Sequence, residues 1–105
     1  MALVSPDFRF LRANAALCRM LGYTEQELTQ LTFTDITHPE DIEKDVRQAR
    51  KVFREELSSY QMEKRYLTKK REVIWVKLTA SLMRHEQERV LYGLGIIEDI
   101  TERKR

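Results

Sequence analysis

Cysteine is nearly absent from this sequence. Cys18 stands alone among 105 residues, which rules out a disulfide within the chain and points to a reducing, cytoplasmic setting. Long apolar runs are missing too. No stretch approaches the roughly 18 to 20 apolar residues of a membrane span, and Met1 to Val4 lack the basic start and apolar core of a secretory signal. Direct membrane contact is therefore not expected of this segment, although a longer parent protein can carry its own anchor. Nor does charge of one sign dominate: 19 basic and 17 acidic residues leave a net +2, too even a balance to grip nucleic acid. The basic clusters Lys69-Lys70-Arg71 and Arg103-Lys104-Arg105 are short and fall where a turn and a helix end are solvated. Histidine is scarce as well. Around His38 and His85 no Ser/His/acid set, metal-ligand spacing or phosphate loop can be assembled, so no catalytic residue and no metal site are expected. His38, in Thr-His-Pro-Glu-Asp, reads as a helix-start residue.

A chain of 105 residues fits one domain large enough to bury a core without staples. Its first hairpin joins Ala2–Val4 to Phe8–Ala13 through Ser5-Pro6-Asp7. Asn14 is a helix cap, Ala15–Leu21 are good helix formers, and Gly22 stands where a left-handed C-terminal residue is wanted. Thr24 and Glu27 match a capping box, which predicts a second short helix from Glu25 to about Gln30, followed by a turn near Thr34–Thr37. From Pro39 the apolar residues Ile42, Val46, Ala49, Phe53 and Leu57 form one stripe along a longer helix whose opposite face is charged. Its acidic start suits the helix dipole, and Glu43 can pair with Arg47. Three strands close the chain: Tyr60–Thr68, Val73–Met83 and Val90–Ile100.

The strand from Val73 sets its own orientation. Ile74, Val76, Leu78, Ala80 and Leu82 alternate with Trp75, Lys77, Thr79 and Ser81, so the even positions face the core. Trp75, the only tryptophan, is left on the outer sheet surface. Its two readings are ordinary cross-strand packing or a docking surface for a partner or flanking helix, which makes it an interface candidate. In the preceding strand Tyr60, Met62 and Tyr66 read as inward, and alternation puts Lys64 among them. An inward ammonium either snorkels out, pairs with an acid, or meets an anionic ligand, in that order of preference. At the end of the chain the apolar run Leu91–Ile97 stops at Asp99-Ile100-Thr101 and turns into charge, a buried strand handing over to an exposed helix.

Strands at both ends with helices between them form an α+β layer architecture. The segments FRFLRANAALCRMLGYTEQEL, DITHPED, EKRY, VIWVKLTASL and GIIEDITERKR, in that order, resemble the PAS family of sensory domains over nearly the whole chain. The resemblance implies a five-stranded antiparallel sheet in the order 2-1-5-4-3 with helices packed on one face around a pocket. It divides the chain into a sensory domain at 1–101 and the start of an outgoing linker helix at 102–105. It departs from the family at the hairpins, where Asp7-Phe8, Lys70-Arg71 and the stretch His85–Arg89 lack the usual glycine. These turns are expected to be widened or reshaped, because a side chain in a left-handed position costs about 1 kcal/mol.

The resemblance also narrows the cofactors. Light-sensing flavin relatives need a reactive cysteine just beyond the Gly-Tyr region, where this chain has Phe33; Cys18 lies on an earlier helix. Haem-binding relatives take an iron ligand from the long helix, and Ile42–Leu57 holds no histidine, cysteine or methionine. Adduct-forming flavin and helix-ligated haem are thus disfavoured, and no cofactor is assigned. The pocket candidates are Leu17, Leu21, Ile36, Val46, Phe53, Lys64, Tyr66, Ile74, Val76 and Leu78; apart from Lys64 and Tyr66 they also read as plain core, and that plainer reading is preferred. The implied function is a regulatory module that binds a small ligand or partner and passes the signal through Asp99, Ile100 and Thr101 to an output domain, a histidine kinase or a diguanylate cyclase, with a homodimer expected. The alternative is a ligand-free module for dimerisation or spacing. An enzyme on a similar scaffold would need a converging buried polar cluster, which the sequence does not predict.

Overall fold

The computed structural model describes residues 1–85 and 90–105. Five strands, β1 (Ala2–Val4), β2 (Phe10–Ala13), β3 (Ser59–Leu67), β4 (Val73–His85) and β5 (Val90–Asp99), form one sheet in the order β2-β1-β5-β4-β3. Every neighbouring pair is antiparallel. Between β2 and β3 run α1 (Ala15–Leu21), α2 (Glu25–Leu28), a 3₁₀ turn (Phe33–Ile36) and α3 (Pro39–Phe53), and α4 (Thr101–Lys104) follows β5. The sheet order and antiparallel pairing are those that the family resemblance implied. The hairpin between β4 and β5, one of the three lacking glycine, lies outside the described residues.

Local chemistry explains the helix boundaries. The Asn14 side chain accepts from the Leu17 N–H at 3.1 Å, and Gly22 ends α1 at φ 82°. Thr24 and Glu27 close a reciprocal capping box at the start of α2, with bonds of 3.0 and 2.9 Å. His38 caps α3, its Nδ1 accepting from the Glu40 N–H at 3.1 Å. Arg47 and Glu43 pair at 3.0 Å one turn apart.

Two expectations change. The first concerns the hairpins: no widening avoids the left-handed position. Phe8 and Arg71 occupy it at φ 73° and 69°, which also delays the start of β2 to Phe10. At Phe8 the strain is offset by packing, since its ring lies 4.9 Å from Phe33 and 6.4 Å from Phe53 between centroids. Arg71 is exposed and has no such offset. The second concerns the stripe of α3. The fully buried residues are Asp45, Ala49 and Val52, while Ile42, Val46, Phe53 and Leu57 are only half-buried. The helix is rotated so that an aspartate takes the place expected of a valine, which is tolerable only because Asp45 finds donors across the core.

Candidate functional site

Strand β3 brings two adjacent cations to the two faces of the sheet edge, and α3 supplies an aspartate to each. Lys64 is 1% exposed and its ammonium is ion-paired with Asp45, which is 0% exposed. The Tyr60 hydroxyl donates to the other Asp45 oxygen at 2.8 Å, and Lys64 Nζ also donates to Thr37 Oγ1 at 3.3 Å. The Thr37 hydroxyl in turn donates to the Phe33 carbonyl at 2.6 Å. The ammonium lies over the Tyr66 and Phe33 rings, 4.6 and 5.1 Å from their centroids. Lys64 therefore does not snorkel; the second of its three expected fates holds, because Asp45 is within reach and solvent is not. Burial, reinforced by the Asp45 carboxylate, pushes the Tyr60 hydroxyl far above its ordinary range, and burial raises Tyr66 too. Both remain neutral phenols, and Tyr60 remains a donor.

This network forms one end of a cavity of about 50 Å³ between α3 and the sheet. Phe53, Lys64, Tyr66 and Leu78 line it, as do Phe33, Tyr60 and Asp45. The other pocket candidates lie elsewhere. Leu17, Leu21, Ile36 and Val76 are buried in the adjoining core, with Ile74 half-buried against them. Val46 is half-buried against the same core and does not reach the cavity. The reason is the rotation of α3 and the reach of the core beneath α1, which fills the space those leucines were expected to border. The wall on β5 contains Gly93 and Gly95. At Gly93 a Cβ would lie 3.3 Å from the Phe53 ring, so the absent side chain is what lets that ring settle on the strand. The space is far below the roughly 300 to 1,000 Å³ of sites for drug-sized ligands and cofactors.

The opposite side of the sheet holds the second cation. Arg65 donates from its backbone N–H and its guanidinium to Asp41 at 2.8, 3.1 and 3.0 Å, and to Glu40 at 3.0 Å. Those hydrogen bonds hold the Asp41 carboxyl below the usual range. The same guanidinium lies 5.2 Å from the centroid of the Trp75 ring, its cross-strand partner. Lys104 of α4 lies over that ring too, at 4.9 Å, and pairs with Glu63 at 2.5 Å. The indole is thus occupied by the chain's own α4.

The junction leading into α4 is fixed by a set of bonds to β4 and β5. Ile100, 2% exposed, donates its N–H to the Trp75 carbonyl at 2.9 Å. The Trp75 N–H donates to Thr101 Oγ1 at 3.1 Å, and the Thr101 N–H to Asp99 Oδ1 at 2.9 Å. Arg103 pairs with Glu98 at 2.5 Å. The helix begins at Thr101 with no side-chain cap, and the Thr101 hydroxyl instead ties it to β4.

The residues that sequence reasoning missed are chiefly Asp45 and its link to Tyr60. A signal was available: Asp45 shares the helix face of Ala49 and Val52, and an inward Lys64 asks for an acid.

The PAS domain family model matches residues 1–102. The chain is 46% identical over 105 residues to the probable diguanylate cyclase DgcE of Escherichia coli strain K12, covering all of this chain and 10% of that protein. It is 33% identical over 103 residues to the sensor histidine kinase TmoS of Ectopseudomonas mendocina, covering 98% of this chain and 11% of that one. The chain thus spans about a tenth of the length of these curated relatives. Among solved structures it resembles the wild-type Drosophila melanogaster Cycle PAS-B domain with a TM-score of 0.83, at 16% identity over 94% of this chain and 97% of that one. It also resembles a PAS domain from a two-component sensor histidine kinase with a TM-score of 0.74, at 18% identity over 93% and 81%. These structural likenesses concern the fold.

Proposed function

The chain belongs to the PAS domain family, and from that premise we propose that it is a sensory module whose state is passed through Asp99, Ile100 and Thr101 into α4 and on to an output domain. The boundary falls at residue 101, with 102–105 starting the linker. The relatives make a diguanylate cyclase the first output to test and a histidine kinase the second, both in the cytoplasm. One observation carries the reading: β5 is at once a wall of the cavity, through Gly93, Gly95 and Ile97, and the stalk of α4, through Asp99. A change in what presses on that wall alters the strand that aims the helix. Such a change transmits only as far as the stimulus binds the two arrangements differently.

The cavity volume favours a small stimulus. A water molecule needs about 10 to 15 Å³ of such cavity space, so about 50 Å³ admits a guest of few non-hydrogen atoms unless Phe53 moves. Asp45 already neutralises Lys64, which favours a small neutral guest over an anion. The same volume favours a second reading, a ligand-free module that dimerises or spaces. Native mass spectrometry of the purified domain separates the two through a bound small molecule.

The relay is tested in the full-length protein by comparing basal and stimulated output between wild type and Asp99→Ala/Thr101→Ala. The expected result is altered regulation with the domain still folded. Unchanged output in both conditions would mean that the signal leaves by another surface.

A further inference from the structure

The last turn of α3 holds a ring over the cavity and is itself built under strain. Phe53, the final residue of the helix, lines the cavity yet is only half-buried, so its ring is part cavity wall and part molecular surface. It rests on β5, where a Cβ at Gly93 would lie 3.3 Å from the ring. Behind it the wall is apolar and partly aromatic, with Phe10, Phe33, Val52 and Leu78. Phe53 thus fills a ring-sized seat continuous with the cavity.

The helix end that carries this ring is closed by a Schellman pair of bonds. The Glu56 N–H donates to the Lys51 carbonyl at 2.9 Å, and the Glu55 N–H to the Val52 carbonyl at 3.0 Å. Glycine is the usual residue at the left-handed position of this motif, and here it is Glu55, at φ 61°. A side chain in that conformation is strained, and unwinding the turn relieves it. The Glu55 carboxylate pairs with Arg84 of β4, which opposes unwinding, but both side chains are more than half exposed and such a pair contributes little. A strained cap and a weak tie therefore meet two residues from Phe53.

We propose that Phe53 is a built-in plug, and that a small neutral aromatic molecule takes its seat on Gly93 when the last turn of α3 unwinds. The inference rests on the cavity being a guest site, as proposed above. The seat is shaped by a phenyl ring, which sets the class of guest. Asp45 already neutralises Lys64, which removes the attraction for a carboxylate on that guest. The closed plug lowers the apparent affinity in proportion to the fraction of molecules that are open. Affinity is therefore set by the cap at Glu55 as well as by the cavity.

The test titrates fluorobenzene and, separately, para-fluorobenzoate into the purified chain, read by fluorine NMR, with circular dichroism to check that each variant is folded. Fluorobenzene is expected to bind wild type weakly and saturably and Phe53→Ala about tenfold or more tightly, while para-fluorobenzoate binds neither. Arg84→Ala, which loses only the tie, is expected to tighten fluorobenzene binding about twofold to fourfold. Adding Glu55→Gly to Arg84→Ala relieves the cap in its closed state and is expected to weaken binding again by about fivefold. If Phe53→Ala does not fold, these two cap variants carry the test. If no form of the chain binds fluorobenzene, the guest reading of the cavity fails together with the plug. If Phe53→Ala binds but wild type does not, or if the cap variants match wild type, the room exists but the plug does not open, and this proposal alone fails. Tighter binding of para-fluorobenzoate than of fluorobenzene would overturn the neutral class.

Discussion

Lys64 and Arg65 are neighbours on β3, each a cation against an aromatic ring and each paired with an aspartate of α3, yet they live in different solvents. Lys64 and Asp45 are sealed in the core, both side chains 1% exposed, while Arg65 and Asp41 lie at the sheet edge, 22% and 18% exposed. Burial strengthens the attraction within the inner pair, but each ion there has lost its hydration, so the pair's net contribution is small and the penalty for breaking it is large. The outer pair keeps part of its water and is screened, so making it or losing it changes less. One aspartate spacing on one helix, i and i+4, therefore gives a brittle contact inside and a compliant one outside. The compliant one adjoins Trp75 and α4, the part of the molecule proposed to move.

The sharpest way to break this comparison is to remove each acid in turn. Asp45→Ala leaves a buried ammonium without its counter-ion and is expected to cost about 3 to 5 kcal/mol in denaturant-induced unfolding. Replacing the whole cluster by apolar residues, Asp45→Leu with Lys64→Met and Tyr60→Phe, is expected to recover most of that loss. If the single variant loses less than about 1 kcal/mol, water reaches the pair and the inner site is not sealed.

Asp41→Asn is expected to cost less, about 1.5 kcal/mol, because Arg65 keeps Glu40 and solvent. This site also carries a pH signature. The Asp41 pKa is lowered on folding, chiefly by its hydrogen bonds to Arg65, so its stabilisation is present above the unfolded value of 3.8 and is lost as pH falls through the lower, folded value. Wild type is therefore expected to lose stability across that acidic window more steeply than Asp41→Asn, measured by midpoints from pH 6 down to about pH 2. Parallel curves would remove Asp41 from the comparison.

Smaller still is the effect of undocking α4. Lys104→Ala and Thr101→Ala are each expected to change stability by about 1 kcal/mol or less. They should nevertheless shift the emission of Trp75, the sole tryptophan, as its ring loses a cation or its strand loses a bond to the helix. An unchanged spectrum in both would show that α4 is not seated on the indole in solution.

The glycine-free hairpins give the mildest test. Arg71→Gly is expected to stabilise by about 0.5 to 1 kcal/mol by relieving a left-handed side chain. Phe8→Gly should instead destabilise, because the ring it removes packs on Phe33 and Phe53. The same substitution thus has opposite signs at two turns of the same backbone conformation.

The sequence by itself determined whatever depends on local spacing. Asn14, Gly22 and the Thr24/Glu27 box place the short helices, because a cap acts within four residues. The alternation from Ile74 to Leu82 orients β4 and puts Trp75 outward, and that of Tyr60, Met62 and Tyr66 in β3 puts Lys64 inward, because a strand has a period of two. Only the tertiary structure decided what those side chains meet. The rotation of α3 depends on Asp45 reaching Tyr60 and Lys64, 15 and 19 residues away, and no helical period records a partner on another strand. The left-handed Phe8 was hidden for the same reason: the rings that offset its strain come from the 3₁₀ turn and the end of α3. The cavity is what remains when those distant parts have packed. Its volume is a small difference between large filled spaces, which is why ten plausible lining residues could be named from the sequence while only Phe53, Lys64, Tyr66 and Leu78 reach it.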